Sequence, residues 1–204
     1  MDIILGALFF GIAGYVGVLL AGTVKAQPFE DGPVPAEPPI LWIVAGCAVI
    51  GGFVATHTTD APQVALLAVV LCALSAIWCT DVRYGIVPDA FTLGPLALIL
   101  GIALVQKQAW PFLYAAVPFV PFAVTAMISK GRGMGWGDVK LAALGGAVLG
   151  AQTALLAFSV GCLVAVIYAY LRGGGRSQPI AFAPYLAGSI GLAIPLVLPF
   201  GALR

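Results

Sequence analysis

A chain of 204 residues that is 62% hydrophobic and 8% charged, with a mean hydropathy of +1.10, is excluded as a soluble globular domain. Nine basic and eight acidic side chains are too few to build the surface such a domain would expose. The formal net charge of +1 supplies no basic field for nucleic acid, so no nucleic-acid partner is expected, and the first partner is the lipid bilayer.

Apolar runs broken by short polar clusters favour helices over a barrel, whose strands would alternate polar and apolar residues. The sequence therefore predicts an all-α fold, a polytopic membrane helix bundle. Against the roughly 20 residues needed to cross a bilayer, helices fall near 3–23, 40–56, 62–80, 91–106, 110–129, 138–150, 152–171 and 180–202. That makes about eight transmembrane helices, or six to eight depending on how the short ones are counted. The run 138–150 would be only about 20 Å long as a helix, less than a typical hydrocarbon core.

The first run is read as a retained helix rather than a cleaved signal. Its start carries Asp2 and no basic residue, and its apolar stretch exceeds the roughly 7 to 15 residues of a signal core. The loop that follows, KAQPFEDGPVPAEPPI, is Pro-rich, acidic and too short to be a domain. Cys47, Cys72, Cys79 and Cys162 all lie inside apolar runs without the two-residue gap of a zinc or redox motif, and read as small buried hydrophobes. His57, the single histidine, has Asp60 nearby but no further ligand, so neither a metal nor another cofactor is expected.

Alternating the loops puts Lys25, Arg83, Lys130, Arg132, Lys140, Arg172 and Arg176 on one face and only Lys107 and Arg204 on the other. Short loops rich in Lys and Arg stay in the cytoplasm. The crowded face is thus cytoplasmic in a multi-pass protein of the cytoplasmic (inner) membrane, with both termini outside if all eight crossings are real. Asp81 and Asp138 fall on the cytoplasmic face.

Those two carboxylates carry the functional argument, because an ionisable group at a membrane boundary is a functional hypothesis by default. Asp81 opens DVRYGIVPD after the run LLAVVLCALSAIWCT. Within that segment Pro88 disfavours helix at Val87, Gly85 relaxes the backbone, and Asp89 is expected to face water or cap the next helix. Asp138 closes GMGWGD, with Gly131, Gly133, Gly135 and Gly137 ahead of it, and begins an apolar helix. The bland alternative for Asp138 is an N-cap after a flexible loop. Gly146 and Gly150 form a small-xxx-small pair that would pack this helix tightly on a neighbour and could bring the two aspartates together. A pair that meets shares a proton, giving one acid and one base to activate water against a peptide carbonyl.

The segments DVRYGIVPD and GMGWGDVKL resemble the two aspartyl motifs of type IV prepilin peptidases, membrane proteases of the GxGD class. A third stretch, Ile180 to Gly188 (IAFAPYLAG), is similar to that family's closing segment, with Ala181 and Ala183 where the family prefers Pro and Gly. The resemblance implies Asp81 and Asp138 as the catalytic pair, supported by Gly135, Gly137, Lys140, Pro88 and Asp89. It implies residues 1–80 as N-terminal transmembrane helices and 81–204 as the GxGD-type peptidase core. The implied substrate is a prepilin or pseudopilin of a pilus or secretion system, whose short basic leader is cut off in the cytoplasm. Larger members of that family carry a cysteine-containing domain, linked to N-methylation, between their first two helices. Here that interval is the short loop without cysteines, so the resemblance is to a short form. Two readings from other classes stand beside it: a proton- or cation-coupled transporter using Asp81 and Asp138 as relay groups, and a catalytically silent membrane assembly protein.

Overall fold

A computed structural model of the chain describes residues 2–25, 36–129, 134–171 and 181–197. Among these residues there are eight helices and no strand: α1 (Ile3–Thr23), α2 (Ile40–His57), α3 (Ala61–Tyr84), α4 (Asp89–Val105), α5 (Trp110–Ile128), α6 (Trp136–Leu149), α7 (Ala151–Leu171) and α8 (Ala183–Val197). The polytopic helical bundle is as the sequence predicts. Helices α1, α2, α3, α5 and α7 are long and apolar enough to cross a membrane, and α4 and α8 are shorter apolar helices.

Two helices are set apart by burial. α3 has two thirds of its apolar window inside the bundle, against about a quarter for α5 and α7. α6, with 14 residues, is buried along nearly its whole length from Asp138 to Leu149. Its shortness is compatible with its apolar character because other helices, rather than lipid, cover it. Large side chains on α1 and α7, such as Ile4, Ile12, Leu156 and Val166, are exposed and form the lipid-facing surface.

In lipid, apolar side chains gain little by leaving the solvent, so helix association relies on close backbone approach. Gly17 of α1 lies against the Cys72 carbonyl of α3, where an added Cβ would sit 2.1 Å from the oxygen. On α6, Gly146 lies over the Tyr114 carbonyl of α5. Pro118 has no N–H to return to that carbonyl four residues earlier, and the glycine lets α6 close on the oxygen the proline leaves free. The expected glycine pair therefore works through one member, and its partner is α5. Gly150 adopts φ 78° with open space around it and ends α6.

The expected boundaries shift where hydropathy and hydrogen bonding part company. α3 continues past the apolar run to Tyr84 and stops at Gly85, which adopts φ 68° and donates its N–H to the Asp81 carbonyl at 2.8 Å. Asp81 is thus in the last turn of the helix and not beyond it. Pro88, with φ −65° and ψ 137°, is the N-cap of α4. α6 begins two residues before Asp138. Lys130, Arg132, Arg172, Arg176, Arg204, Gly131, Gly133 and Ile180 lie outside the described residues.

Candidate active site

The C-terminal turn of α3 and the N-termini of α4, α6 and α8 meet at one end of the bundle. α4 and α8 each pack against both α3 and α6, whereas α3 and α6 make no direct backbone contact with one another. The turn of α3 that carries Asp81 and the turn of α6 that carries Asp138 are thus held together through α4 and α8, which pack against both helices. The two aspartates are close enough for the charge of one to act on the other.

Both carboxylates are buried, with 6% of Asp81 and 8% of Asp138 exposed, although each belongs to a residue type almost never fully buried without partners. Among the described residues, each has one backbone donor. Asp81 Oδ2 accepts from the Ala183 N–H at 3.1 Å, at the start of α8. Asp138 Oδ2 accepts from the Gly135 N–H at 3.2 Å. Asp138 is therefore not an N-cap: Gly135 occupies that position, and Asp138, three residues on, reaches back to it. Since one donor leaves most of a carboxylate's acceptor capacity open, both groups remain available to a water or a peptide.

The two glycines of the motif do different jobs. A Cβ on Gly137 would stand 2.7 Å from Val87 Cβ, so the first motif's loop is pressed directly on the start of α6. A Cβ on Gly135 would meet nothing nearer than Asp138 Oδ2, at 3.6 Å. A second clip joins the same segments, since Lys140 Nζ donates to Asp89 Oδ1 across the α6 and α4 N-termini. Asp89 is largely exposed, as expected, but it lies in the first turn of α4 and is paired with Lys140 rather than capping the helix.

Three contributors carry no signal in the sequence. The Ala183 N–H is a backbone group, so the alanine in place of glycine leaves the donor intact, and at 1% exposure the site has room for little more than a methyl. Val87 acts only by its volume. The chain entering α2 is fastened beside Asp81 by Ala36 N–H to the Val82 carbonyl at 3.2 Å, with Glu37 within 4.0 Å of Arg83. Among the described residues, no three His, Cys, Asp or Glu side chains are grouped to hold a metal ion.

Several known proteins resemble this chain. The chain is 35% identical over 119 residues to a prepilin leader peptidase/N-methyltransferase of Bacillus subtilis, covering 54% of this chain and 48% of that protein. It is 34% identical over 157 residues to one from Pseudomonas aeruginosa (69% and 52%) and 31% identical over 153 residues to one from Stutzerimonas stutzeri (69% and 53%). The chain thus spans about half the length of the curated relatives it matches. No solved structure matches it. The sequence model of the type IV leader peptidase family matches residues 65–170, which include Asp81, Asp138 and the N-termini of α4 and α6. With just over half of its length matched, the chain belongs to the type IV leader peptidase family.

Proposed function

We propose that this chain is a membrane-embedded aspartyl endopeptidase that removes the short basic leader from type IV prepilins or pseudopilins, with Asp81 and Asp138 as its catalytic pair. The observation that carries the reading is the convergence of two buried carboxylates, each with one backbone donor among the described residues, at the end of the bundle where α4 and α8 pack against both parent helices. In such a pair one carboxylate, as base, takes a proton from a water in the gap, which attacks the scissile carbonyl. The other, as acid, gives its proton to the departing amine, and the pair titrates as a unit. The buried setting limits competing water and keeps repulsion between the two groups strong, which favours holding one proton between them.

The site faces the cytoplasm in this reading. What supports the orientation is the charge on the described residues: Lys25, Arg83 and Lys140 lie at the aspartate end and Lys107 at the other. The proposed activity is leader cleavage without methyl transfer, and the short interval between α1 and α2, without cysteines, is the feature that favours it.

The test is cleavage of a co-expressed prepilin by Asp81→Asn and Asp138→Asn chains at matched membrane abundance. Asparagine preserves shape and cannot share the proton, so each is expected to lose on the order of a hundred- to ten-thousandfold in rate. Cleavage at the wild-type rate by either variant refutes the pair.

A further inference from the structure

α3 ends and α8 begins at the aspartate end of the bundle, so the two helices run in opposite directions along the seam they share. Three contacts mark that seam in order. Asp81 Oδ2 accepts from the Ala183 N–H at 3.1 Å. One turn earlier on α3 the Trp78 ring lies on Gly188, where an added Cβ would stand 2.9 Å from Cζ3 and 3.5 Å from Cη2. Further along, Gly191 faces Leu71, and a Cβ there would meet Leu71 Cδ2 at 3.7 Å and Ile50 Cδ1 at 3.5 Å, which is ordinary contact. The Trp78 contact is thus the tight one, and it is the one next to Asp81.

The two sides of this contact differ in freedom. The Trp78 side chain packs on the cluster of Val18 and Ala21 from α1, Ile43 from α2 and Cys79 from α3, as well as on Gly188. A side chain wedged among that many elements moves only together with its neighbours, so added volume at position 188 displaces α8 and not the ring. Ordinary carbon contacts begin near 3.5 Å, so a methyl at 2.9 Å is relieved by a retreat of about 0.6 Å. α8 in turn carries the one donor that Asp81 has among the described residues. Good N–H···O bonds end at about 3.2 Å, and this one already measures 3.1 Å, so such a retreat takes the Ala183 N–H out of range and leaves the carboxylate free to turn.

We propose that Trp78 and Gly188 are positioning residues for Asp81: the ring, seated on the glycine, fixes the height of α8 along α3 and so keeps the Ala183 N–H on the Asp81 carboxylate. The inference rests on the peptidase reading, in which Asp81 presents Oδ1 to the reacting groups while Oδ2 is held by the Ala183 N–H. A large ring at 78 and a missing side chain at 188 form a matched pair. Too much volume lifts α8 off Asp81, and too little lets it slide along the seam. A contact that served packing alone would act on the stability of the chain and leave the turnover of the folded molecules as it was.

The experiment compares Gly188→Ala, Trp78→Phe, the double variant and Gly191→Ala, each purified in lipid nanodiscs, in cleavage of one type IV prepilin. A displacement of about 1 Å can cost a hundredfold in rate, and this one is smaller, so Gly188→Ala is expected to lower kcat on the order of tenfold. KM should stay within about twofold, because the substrate's binding contacts are untouched. Trp78→Phe shortens the ring at the contact and should lower kcat less; adding it to Gly188→Ala makes room for the methyl and should restore turnover. Gly191→Ala should behave as wild type. Exchange of the Ala183 amide hydrogen, followed by NMR, should quicken in Gly188→Ala and in Trp78→Phe and slow again in the double variant. Trp78→Phe adds no volume, and it tests the same contact should Gly188→Ala fail to fold. Wild-type kcat in either single variant, an equal loss in Gly191→Ala, a loss confined to KM, or a double variant no better than Gly188→Ala overturns the positioning role, as does unchanged Ala183 exchange. Undiminished cleavage by Asp81→Asn in the same nanodiscs would instead overturn the peptidase reading, and the exchange result would still decide the contact.

Discussion

Gly137→Ala should nearly abolish cleavage, whereas Gly135→Ala, two residues earlier in the same motif, should be tolerated. A methyl on Gly137 would stand 2.7 Å from Val87 Cβ and 3.2 Å from its Cγ2. Ordinary carbon contacts lie near 3.5–4.0 Å, so the start of α6 must retreat by about 1 Å from the loop that precedes α4. Overpacking of this kind costs roughly 1–3 kcal/mol of stability. The larger effect is on rate, because Asp138 is one residue away and a misplacement of about 1 Å can cost on the order of a hundredfold. The methyl on Gly135 meets Asp138 Oδ2 at 3.6 Å, and its φ of −79° suits any residue. The assay is prepilin processing at matched membrane abundance, with Val87→Gly added to Gly137→Ala to remove the obstructing atom. Recovery in the double variant locates the defect in this contact. Wild-type activity of Gly137→Ala, or equal damage from Gly135→Ala, would refute the reasoning.

Asp89→Asn should reduce processing only a few-fold, since its ion pair with Lys140 is partly exposed, 61% on the aspartate and 28% on the lysine, and such pairs contribute about 1 kcal/mol or less. A dead Asp89→Asn chain would mean that Asp89 belongs to the reacting pair. Gly146→Leu should lower resistance to proteolysis and heat. The added Cβ would lie 2.2 Å from the Tyr114 carbonyl, a backbone atom that cannot swing aside; unaltered stability would contradict the packing of α6 on α5. For orientation, a single cysteine replacing Lys107 in a cysteine-free chain should react with an impermeant thiol reagent in intact cells. One replacing Lys25 or Tyr84 should be protected, and the reverse pattern would invert the assignment.

The helices were legible because in lipid each must satisfy its own backbone, so an apolar run bounded by Gly, Pro or charge becomes a helix with few alternatives. Hydropathy was a poorer guide to ends than to existence: it stops at Thr80, whereas the hydrogen bonds of α3 run on until Gly85 takes the left-handed conformation. The burial of α6 could not be read, since WGDVKLAALGGAVL is apolar around most of its circumference and its period marks no inner face. Asp81 and Asp138 stood out as carboxylates beside apolar runs. The Ala183 N–H did not, because every residue but proline has one and only the fold selects which is used.

The positions of α4 and α8 explain why so much of the site is made of backbone and small residues. Were α3 and α6 packed directly, the distance between the aspartates would follow from their own side chains, as in an ordinary helix pair. Instead α4 and α8 act as spacers, and each is fixed to the site by a contact with little slack: Val87 against Gly137 for α4, and the Ala183 N–H against Asp81 for α8. In the proposed mechanism the pair admits a water and a peptide between its members, which requires a separation that does not collapse, and well-packed cores resist continuous deformation. The separation is therefore encoded in residues with no chemistry of their own, which is why the acids can be found from sequence more readily than the parts that hold them apart.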